Sequence, residues 1–271
     1  MNVIFTCGGT AGHVNPALAL AGFLREKDPS VKLLFVGAER GLERGLVTRA
    51  GYPFKTVNIS SFHRSLRPKE LRHNFVSVRN LLHAGREAGA ILDEFQPDLI
   101  VGTGGYASYP IVRYGAKRGV PTAVHESNAV PGLTTRLLEN HCDCIMVGFE
   151  DCRRYYRHKD RVVVTGTPVR GDFFTRTKDE ARKELGLADG KPLVVSFWGS
   201  LGASNMNRLT AEMLCLEAAK EPFHHIHAAG SAGWRLMRGR MSERGVDLGA
   251  HPSLDVREYI YNMAVVMRAA D

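Results

Sequence analysis

The sequence predicts an α/β protein built from two Rossmann-like, doubly wound domains, the second of them incomplete. Three observations carry this expectation. Short apolar runs alternate with segments long enough for crossover helices, glycine-rich loops follow several of those runs, and the alternation restarts after a polar, turn-like stretch beyond Pro168. Such alternation implies a parallel sheet covered on both faces, with ligand loops at the carboxyl ends of its strands. The boundary is placed near residue 168, giving an N-terminal domain over 1–168 and a C-terminal domain over 169–271.

The first apolar run, Val3-Ile4-Phe5, breaks into Cys7-Gly8-Gly9-Thr10-Ala11-Gly12-His13 and then Asn15-Pro16-Ala17-Leu18-Ala19-Leu20, which reads as strand, glycine loop and helix. The glycines let the backbone approach a ligand, and amides opening the helix offer an anion site. Further strands are expected at 31–37, 53–57, 98–102, 120–125, 143–147 and 161–165. In the second domain a strand at 192–197 runs into Trp198-Gly199-Ser200-Leu201-Gly202, a helix spans about 205–220, and another strand spans 223–229. Residues 255–270 read as a turn and a helix. A doubly wound domain normally has about five or six strands. The second domain shows fewer, so the chain is expected to be truncated at its C-terminus.

With 271 residues, 44% hydrophobic and 24% charged, the composition is that of a globular protein. No apolar run approaches the roughly 20 residues of a membrane span, and the chain opens directly on a strand without a secretory signal, so a cytoplasmic protein is expected. Cys7, Cys142, Cys144, Cys152 and Cys215 show neither a metal-ligand spacing nor a disulfide framework and read as reduced thiols. The net charge of +8 fits either a basic binding face or simple solubility. Charge concentrates over 63–86, where Arg64, Arg67, Lys69, Arg72, Arg79 and Arg86 outnumber Glu70. No nucleic-acid reading element stands out.

Two more loops fall where the sheet places ligand sites: Gly102-Thr103-Gly104-Gly105-Tyr106 and His125-Glu126-Ser127-Asn128. Taken singly, each glycine turn serves packing equally well, and His125 with Glu126 could be a satisfied buried pair. A dinucleotide-dependent dehydrogenase stays open through Glu39 after the second strand, although the glycine spacing is not G-x-G-x-x-G.

In order and spacing, Gly8-Gly9-Thr10-Ala11-Gly12-His13, Gly104-Gly105-Tyr106, His125-Glu126-Ser127-Asn128 with Pro131-Gly132-Leu133-Thr134, Gly166-Thr167-Pro168-Val169-Arg170 and Gly199-Ser200-Leu201-Gly202-Ala203 resemble the MurG family across the whole chain. The resemblance implies the GT-B glycosyltransferase fold. It also implies transfer of N-acetylglucosamine from the UDP-sugar to undecaprenyl-diphosphate-linked N-acetylmuramoyl-pentapeptide, with inversion, at the cytoplasmic face of the bacterial membrane. The donor would bind mainly to the second domain and the acceptor to the first. His13 is the candidate base, because a histidine pKa of roughly 6.5 suits proton abstraction; Glu126 and His125 are alternatives. By the same resemblance Thr10, Ala11, Gly12, Asn128, Arg170, Ser200 and Ile260 would touch the UDP-sugar, while Gly104, Gly105 and Tyr106 would face the acceptor diphosphate. No cofactor and no metal are expected, in keeping with the lack of an Asp-x-Asp motif.

The chain departs from the family at Ala11, at Trp198 before Ser200, at Leu201 and at Thr167, and it lacks the later donor motif. From this the chain 1–271 is expected to be an inactive fragment of the enzyme, and a UDP-sugar epimerase is the alternative with the same architecture. Leu71, Phe75, Val78 and Leu82 recur at helical spacing beside Lys69, Arg72, Arg79 and Arg86. That segment is either a core stripe with a solvated face or a patch that rests on anionic lipid, and a lipid-linked acceptor needs the second.

Overall fold

A computed structural model describes residues 1–39, 41–59, 84–199 and 202–271. The chain divides into two compact units, Met1–Arg170 and Gly171–Asp271. The basic stretch over 63–83 and Ser200 with Leu201 lie outside the described residues.

The first unit is a seven-stranded parallel sheet. Its strands are β1 (Asn2–Thr6), β2 (Lys32–Ala38), β3 (Phe54–Val57), β4 (Leu99–Gly102), β5 (Thr122–Glu126), β6 (Cys144–Val147) and β7 (Val162–Val164), in the spatial order β3-β2-β1-β4-β5-β6-β7. Each lies within about two residues of its expected position. Helices α1 (Ala11–Lys27) and α2 (Leu42–Arg49), a helical segment α3 described over 84–95, α4 (Ser108–Lys117) and α5 (Leu133–Leu138) cover the sheet. Both faces are buried, so the central strands carry consecutive apolar residues, Val3-Ile4-Phe5 in β1 and Leu99-Ile100-Val101 in β4, instead of alternating. Val3 and Phe5 enter one core with Val14, Ala17 and Ala21 of α1; Ile4 enters the other with Ala88 and Ile91 of α3 and Ile111 of α4.

The strand order has one functional consequence. From β1 the chain winds outward through β2 and β3, then returns to place β4 on the other side of β1. The loops leaving β1 and β4 therefore lie side by side at the strand-order switch point, the position where open α/β sheets bind ligands.

The second unit holds a three-stranded parallel sheet of β8 (Leu193–Phe197), β9 (His224–Ala228) and β10 (Leu254–Arg257), in the order β10-β9-β8. Helices α6 (Lys178–Glu184), α7 (Ser204–Ala218), α8 (Trp234–Glu243) and α9 (Met263–Ala269) enclose it. One face packs Leu193 and Ile226 against Ala181 of α6 and Val266 of α9; the other packs Leu254 and Val256 against Leu214, Met237 and Met241.

Three sequence expectations need correction. Helix α1 begins at Ala11, so Gly12 and His13 belong to its first turn and the glycine loop ends at Thr10. The polar stretch after Pro168 contains α6, started by a capping box in which the Thr177 side chain accepts from the Glu180 amide and Glu180 reaches back to Thr177. Residues 255–270 include the end of β10: Leu254 and Val256 point inward while Asp255 and Arg257 are only half-buried, a period of two too short to separate from a turn.

Candidate functional site

In the first unit the loops after β1 and β4 are built into one another. The Gly8 amide donates to the Gly104 carbonyl at 3.2 Å, the Thr103 amide to the Thr6 carbonyl at 3.0 Å, and the Thr103 hydroxyl to the His13 carbonyl at 2.6 Å. Gly105 has φ +80°, and a Cβ there would lie 2.7 Å from the Gly8 carbonyl carbon and closer still to its oxygen. Only glycine allows this approach. A Cβ on Gly104 would lie 2.6 Å from Cδ2 of His13, so the imidazole rests directly on the second loop.

His13 is half-buried, with Nδ1 2.7 Å from the Gly8 carbonyl oxygen. A carbonyl only accepts, so Nδ1 carries the hydrogen and, in the neutral ring, Nε2 keeps its lone pair. Beside it, the first turn of α1 has no side-chain cap, and the early amides of a helix have no intrahelical partners. A proton acceptor and an uncapped helix N-terminus thus stand together above the β1–β4 switch point. Thr10 is half-buried, Ala11 is buried and Gly12 is exposed.

The sequence reading missed Glu43. This carboxylate, in the first turn of α2, is fully buried and accepts from the Ala38 amide at 3.0 Å and from the Gly9 amide at 3.3 Å. It fixes the loop from beneath. A Cβ on Gly37 would lie 2.7 Å from its Cγ, and one on Gly41 2.5 Å from Oε1. The signal available was an acid two residues past a glycine at a strand-to-helix turn, but attention to Glu39 follows from the dinucleotide pattern, and Glu39 is exposed. Burial and then the charge of Glu43 push the Cys7 thiol up, so it stays protonated; the same two causes raise the Tyr106 hydroxyl. The five cysteines are free, with Cys7, Cys142 and Cys152 buried.

At the end of β5, His125 and Glu126 are both buried. Nε2 of His125 lies 3.0 Å from the Gly166 carbonyl and Nδ1 lies 3.3 Å from the Ser127 hydroxyl, which ties the loop after β5 to the loop after β7. Burial lowers its pKa and keeps it neutral. Glu126 accepts from the Asn128 amide at 2.9 Å and the Asn128 side chain at 2.7 Å through Oε1, and from the Gly132 amide at 2.8 Å and the Thr135 hydroxyl at 2.6 Å through Oε2. A carboxylate offers about four lone-pair sites, and these donors fill them. Glu126 thus braces the 127–135 loop, on which Asn128 is exposed. Arg170 is half-buried at the end of this unit.

In the second unit the loop after β8 and the loop after β9 also interlock. A Cβ on Gly202 would lie 3.0 Å from the Ala229 carbonyl carbon, and one on Gly233 2.6 Å from the Ala229 oxygen. Trp198, at a usual glycine position of the family, turns its indole onto α7, where Nε1 donates to the Thr210 hydroxyl at 3.1 Å. Ile260 is buried in the core with Leu193 and Ile226.

Two parallel α/β units with glycine loops at the carboxyl strand ends define the GT-B class of nucleotide-sugar enzymes. Residues 3–147 match the glycosyltransferase family 28 N-terminal domain. Over all 271 residues the chain is 37% identical to the UDP-N-acetylglucosamine–N-acetylmuramyl-(pentapeptide) pyrophosphoryl-undecaprenol N-acetylglucosamine transferase of Acetivibrio thermocellus, covering 71% of that protein. The chain belongs to this transferase family, the MurG family. Among solved structures, Acinetobacter baumannii MurG matches with a TM-score of 0.61 at 22% identity, covering 100% of this chain and 71% of the other. A Neisseria meningitidis UDP-GlcNAc 2-epimerase bound to UDP-GlcNAc matches with a TM-score of 0.61 at 13% identity, over 99% of this chain and 75% of the other. Both likenesses concern the fold.

Proposed function

We propose that this chain belongs to an inverting hexosyltransferase that moves N-acetylglucosamine from UDP-N-acetylglucosamine to undecaprenyl-diphosphate-linked N-acetylmuramoyl-pentapeptide in peptidoglycan synthesis. The observation that supports it most is the placement of His13, whose Nδ1 is committed to the Gly8 carbonyl, which leaves Nε2 its lone pair in the neutral ring beside Gly104. As the acceptor hydroxyl oxygen bonds to the anomeric carbon and the bond from that carbon to the UDP oxygen breaks, Nε2 takes the hydroxyl proton. His125 has both ring nitrogens engaged and Glu126 has its lone pairs filled, so neither competes for that role.

The first unit, with Gly104, Gly105 and Tyr106, receives the acceptor diphosphate. The second unit receives the UDP-sugar through the loop that includes Ser200 and through the backbone near Ile260. Within the first unit, Thr10, Ala11, Gly12, Asn128 and Arg170 are the residues that the family resemblance assigns to the UDP-sugar. Helix amides and the Arg170 guanidinium stabilise the charge on the departing diphosphate without a metal ion.

No helix of the described residues is long and apolar enough to cross a membrane. Access to a lipid-linked acceptor is assigned to peripheral contact with anionic lipid at the cytoplasmic membrane face, through the basic stretch that holds Arg72 and Arg79. Incubating the full-length protein with radiolabelled UDP-N-acetylglucosamine and the lipid-linked acceptor tests the reaction: labelled lipid product supports it. Epimerised UDP-sugar without lipid product refutes it.

A further inference from the structure

Inside the second unit a line of polar side chains crosses the core from one end of α7 to the other. Glu217 Oε2 lies 2.8 Å from His225 Nδ1, His225 Nε2 lies 2.7 Å from the Ser196 hydroxyl, and that hydroxyl lies 2.6 Å from His227 Nδ1. His227 Nε2 lies 3.4 Å from Asn207 Oδ1, and Asn207 Nδ2 donates to the Ala229 carbonyl at 2.7 Å. Both histidines and Asn207 are buried. The far end of the line is where the two glycine loops close: a Cβ on Gly202 would lie 3.1 Å from Asn207 Nδ2, and one on Gly233 3.1 Å from Asn207 Cγ.

Glu217, His225 and Ser196 follow one another as in a nucleophile triad. The arrangement does not serve as one, because the Ser196 oxygen is held by a second histidine instead of facing a reacting atom.

Counting hydrogens along the line gives a definite answer. Asn207 gives its NH2 to the Ala229 carbonyl, so its oxygen faces His227 and requires a hydrogen on Nε2. Neutral His227 then has a bare Nδ1, which takes the Ser196 hydrogen. The Ser196 oxygen must next accept from Nε2 of His225. Nδ1 of His225 faces the Glu217 carboxylate and needs a hydrogen of its own. Every contact is satisfied once the His225–Glu217 pair holds one further proton, which makes His225 an imidazolium against the Glu217 carboxylate.

We infer that this single additional proton, held between His225 and Glu217, sets the tautomer of His227 and thereby locks Asn207 onto the Ala229 carbonyl beside Gly202 and Gly233, making His225, His227 and Glu217 positioning residues for UDP-sugar binding. The role in binding rests on the functional reading above. Removing the proton reverses the line: Ser196 donates to His225, His227 protonates Nδ1 to meet Ser196, and Nε2 then opposes Asn207 Oδ1 as a second acceptor. The anchor loosens. Burial and the positive charge of His225 bring the pKa of His227 down to about 4, which keeps that ring neutral.

Helix α7 supplies Glu217 and Cys215, a thiol raised by burial and acted on by the paired Arg244 and Glu212, and β8 supplies Ser196. Helix α8 and β10 turn Met237, Met241, Leu254 and Val256 to this core, while Asp255 and Arg257 pair in register with Ile226 and Ala228, which point to the opposite face.

Nitrogen NMR of the histidine-labelled full-length protein reads the proton count directly, with UDP-N-acetylglucosamine affinity measured by calorimetry from about pH 6 to about pH 9. At the lower end His225 is expected to show two protonated nitrogens and His227 a protonated Nε2 with a bare Nδ1, and affinity is expected to fall as pH rises. The diphosphate diester of this ligand does not itself titrate over that range. Glu217→Gln, whose amide can donate to a neutral His225, is expected to flatten the pH dependence. His227→Phe is expected to weaken binding about tenfold, and His227→Gln, which keeps a donor toward Asn207, to recover most of that loss. A protonated Nδ1 on His227 at the lower pH, or equal binding by the Phe and Gln variants, overturns the inference. A protein that binds no UDP-N-acetylglucosamine at any pH refutes the functional reading, while the nitrogen shifts decide the proton count by themselves.

Discussion

Replacing Gly105 with alanine tests whether the loops after β1 and β4 depend on direct backbone contact. Two costs add at this position. Holding an alanine at φ +80° costs about 1–2 kcal/mol. The new Cβ would also lie 2.7 Å from the Gly8 carbonyl carbon and 2.9 Å from its nitrogen, and parting packed groups costs about 1–3 kcal/mol more. Gly119→Ala supplies the control: its φ is +75°, but a Cβ there has nothing within 4 Å, so only the first cost applies. Urea unfolding of both variants should therefore place Gly105→Ala about 1–3 kcal/mol below Gly119→Ala, a midpoint difference of roughly 1 M for a slope near 2 kcal/mol/M. Displacing Gly8 moves the carbonyl that orients His13, so turnover of Gly105→Ala should drop as well. Equal stability of the two variants would refute the close-approach reasoning.

Glu43→Ala strands the Ala38 and Gly9 amides and should cost about 2–4 kcal/mol in the same unfolding experiment, with reduced transfer; an unchanged midpoint would remove Glu43 from the loop's support. Acid should destabilise the second unit through His227. Its folded pKa of about 4 lies below the ordinary value near 6.5, so the unfolded chain binds the proton first and stability is lost as pH falls from roughly 6.5 to 4, by about 3 kcal/mol at most. His227→Gln should lose less over that window, and an identical acid profile would contradict the assignment. His125 acts in the same direction in the first unit, since burial also lowers its pKa. Arg72→Glu with Arg79→Glu should weaken binding to anionic vesicles, with the effect shrinking as salt is raised, and salt-independent binding would favour the core-stripe alternative.

The strands were legible because a sheet buried on both faces leaves continuous apolar runs such as Leu33-Leu34-Phe35-Val36. Strand β10 was not, since four residues with charges at two of them carry too little periodicity. At the site, glycine spacing revealed the loops but not which side chains support them. Glu43 and Glu126 are both acids near a loop, and only the structure tells that each is a buried acceptor for backbone amides. The His225–Ser196–His227 line was hidden for a different reason. Its members come from separate strands brought side by side by parallel pairing, with Ser196 in register with His227.

The central claim is that Nε2 of His13 takes the acceptor proton during transfer of N-acetylglucosamine. The measurement that tests it most directly compares kcat of the full-length protein and its His13→Ala variant on radiolabelled UDP-N-acetylglucosamine and the lipid-linked acceptor, with donor affinity measured alongside. Loss of general-base catalysis should lower kcat by roughly 100-fold or more and leave donor affinity nearly unchanged. A variant that forms the labelled lipid product at the wild-type rate would contradict the account.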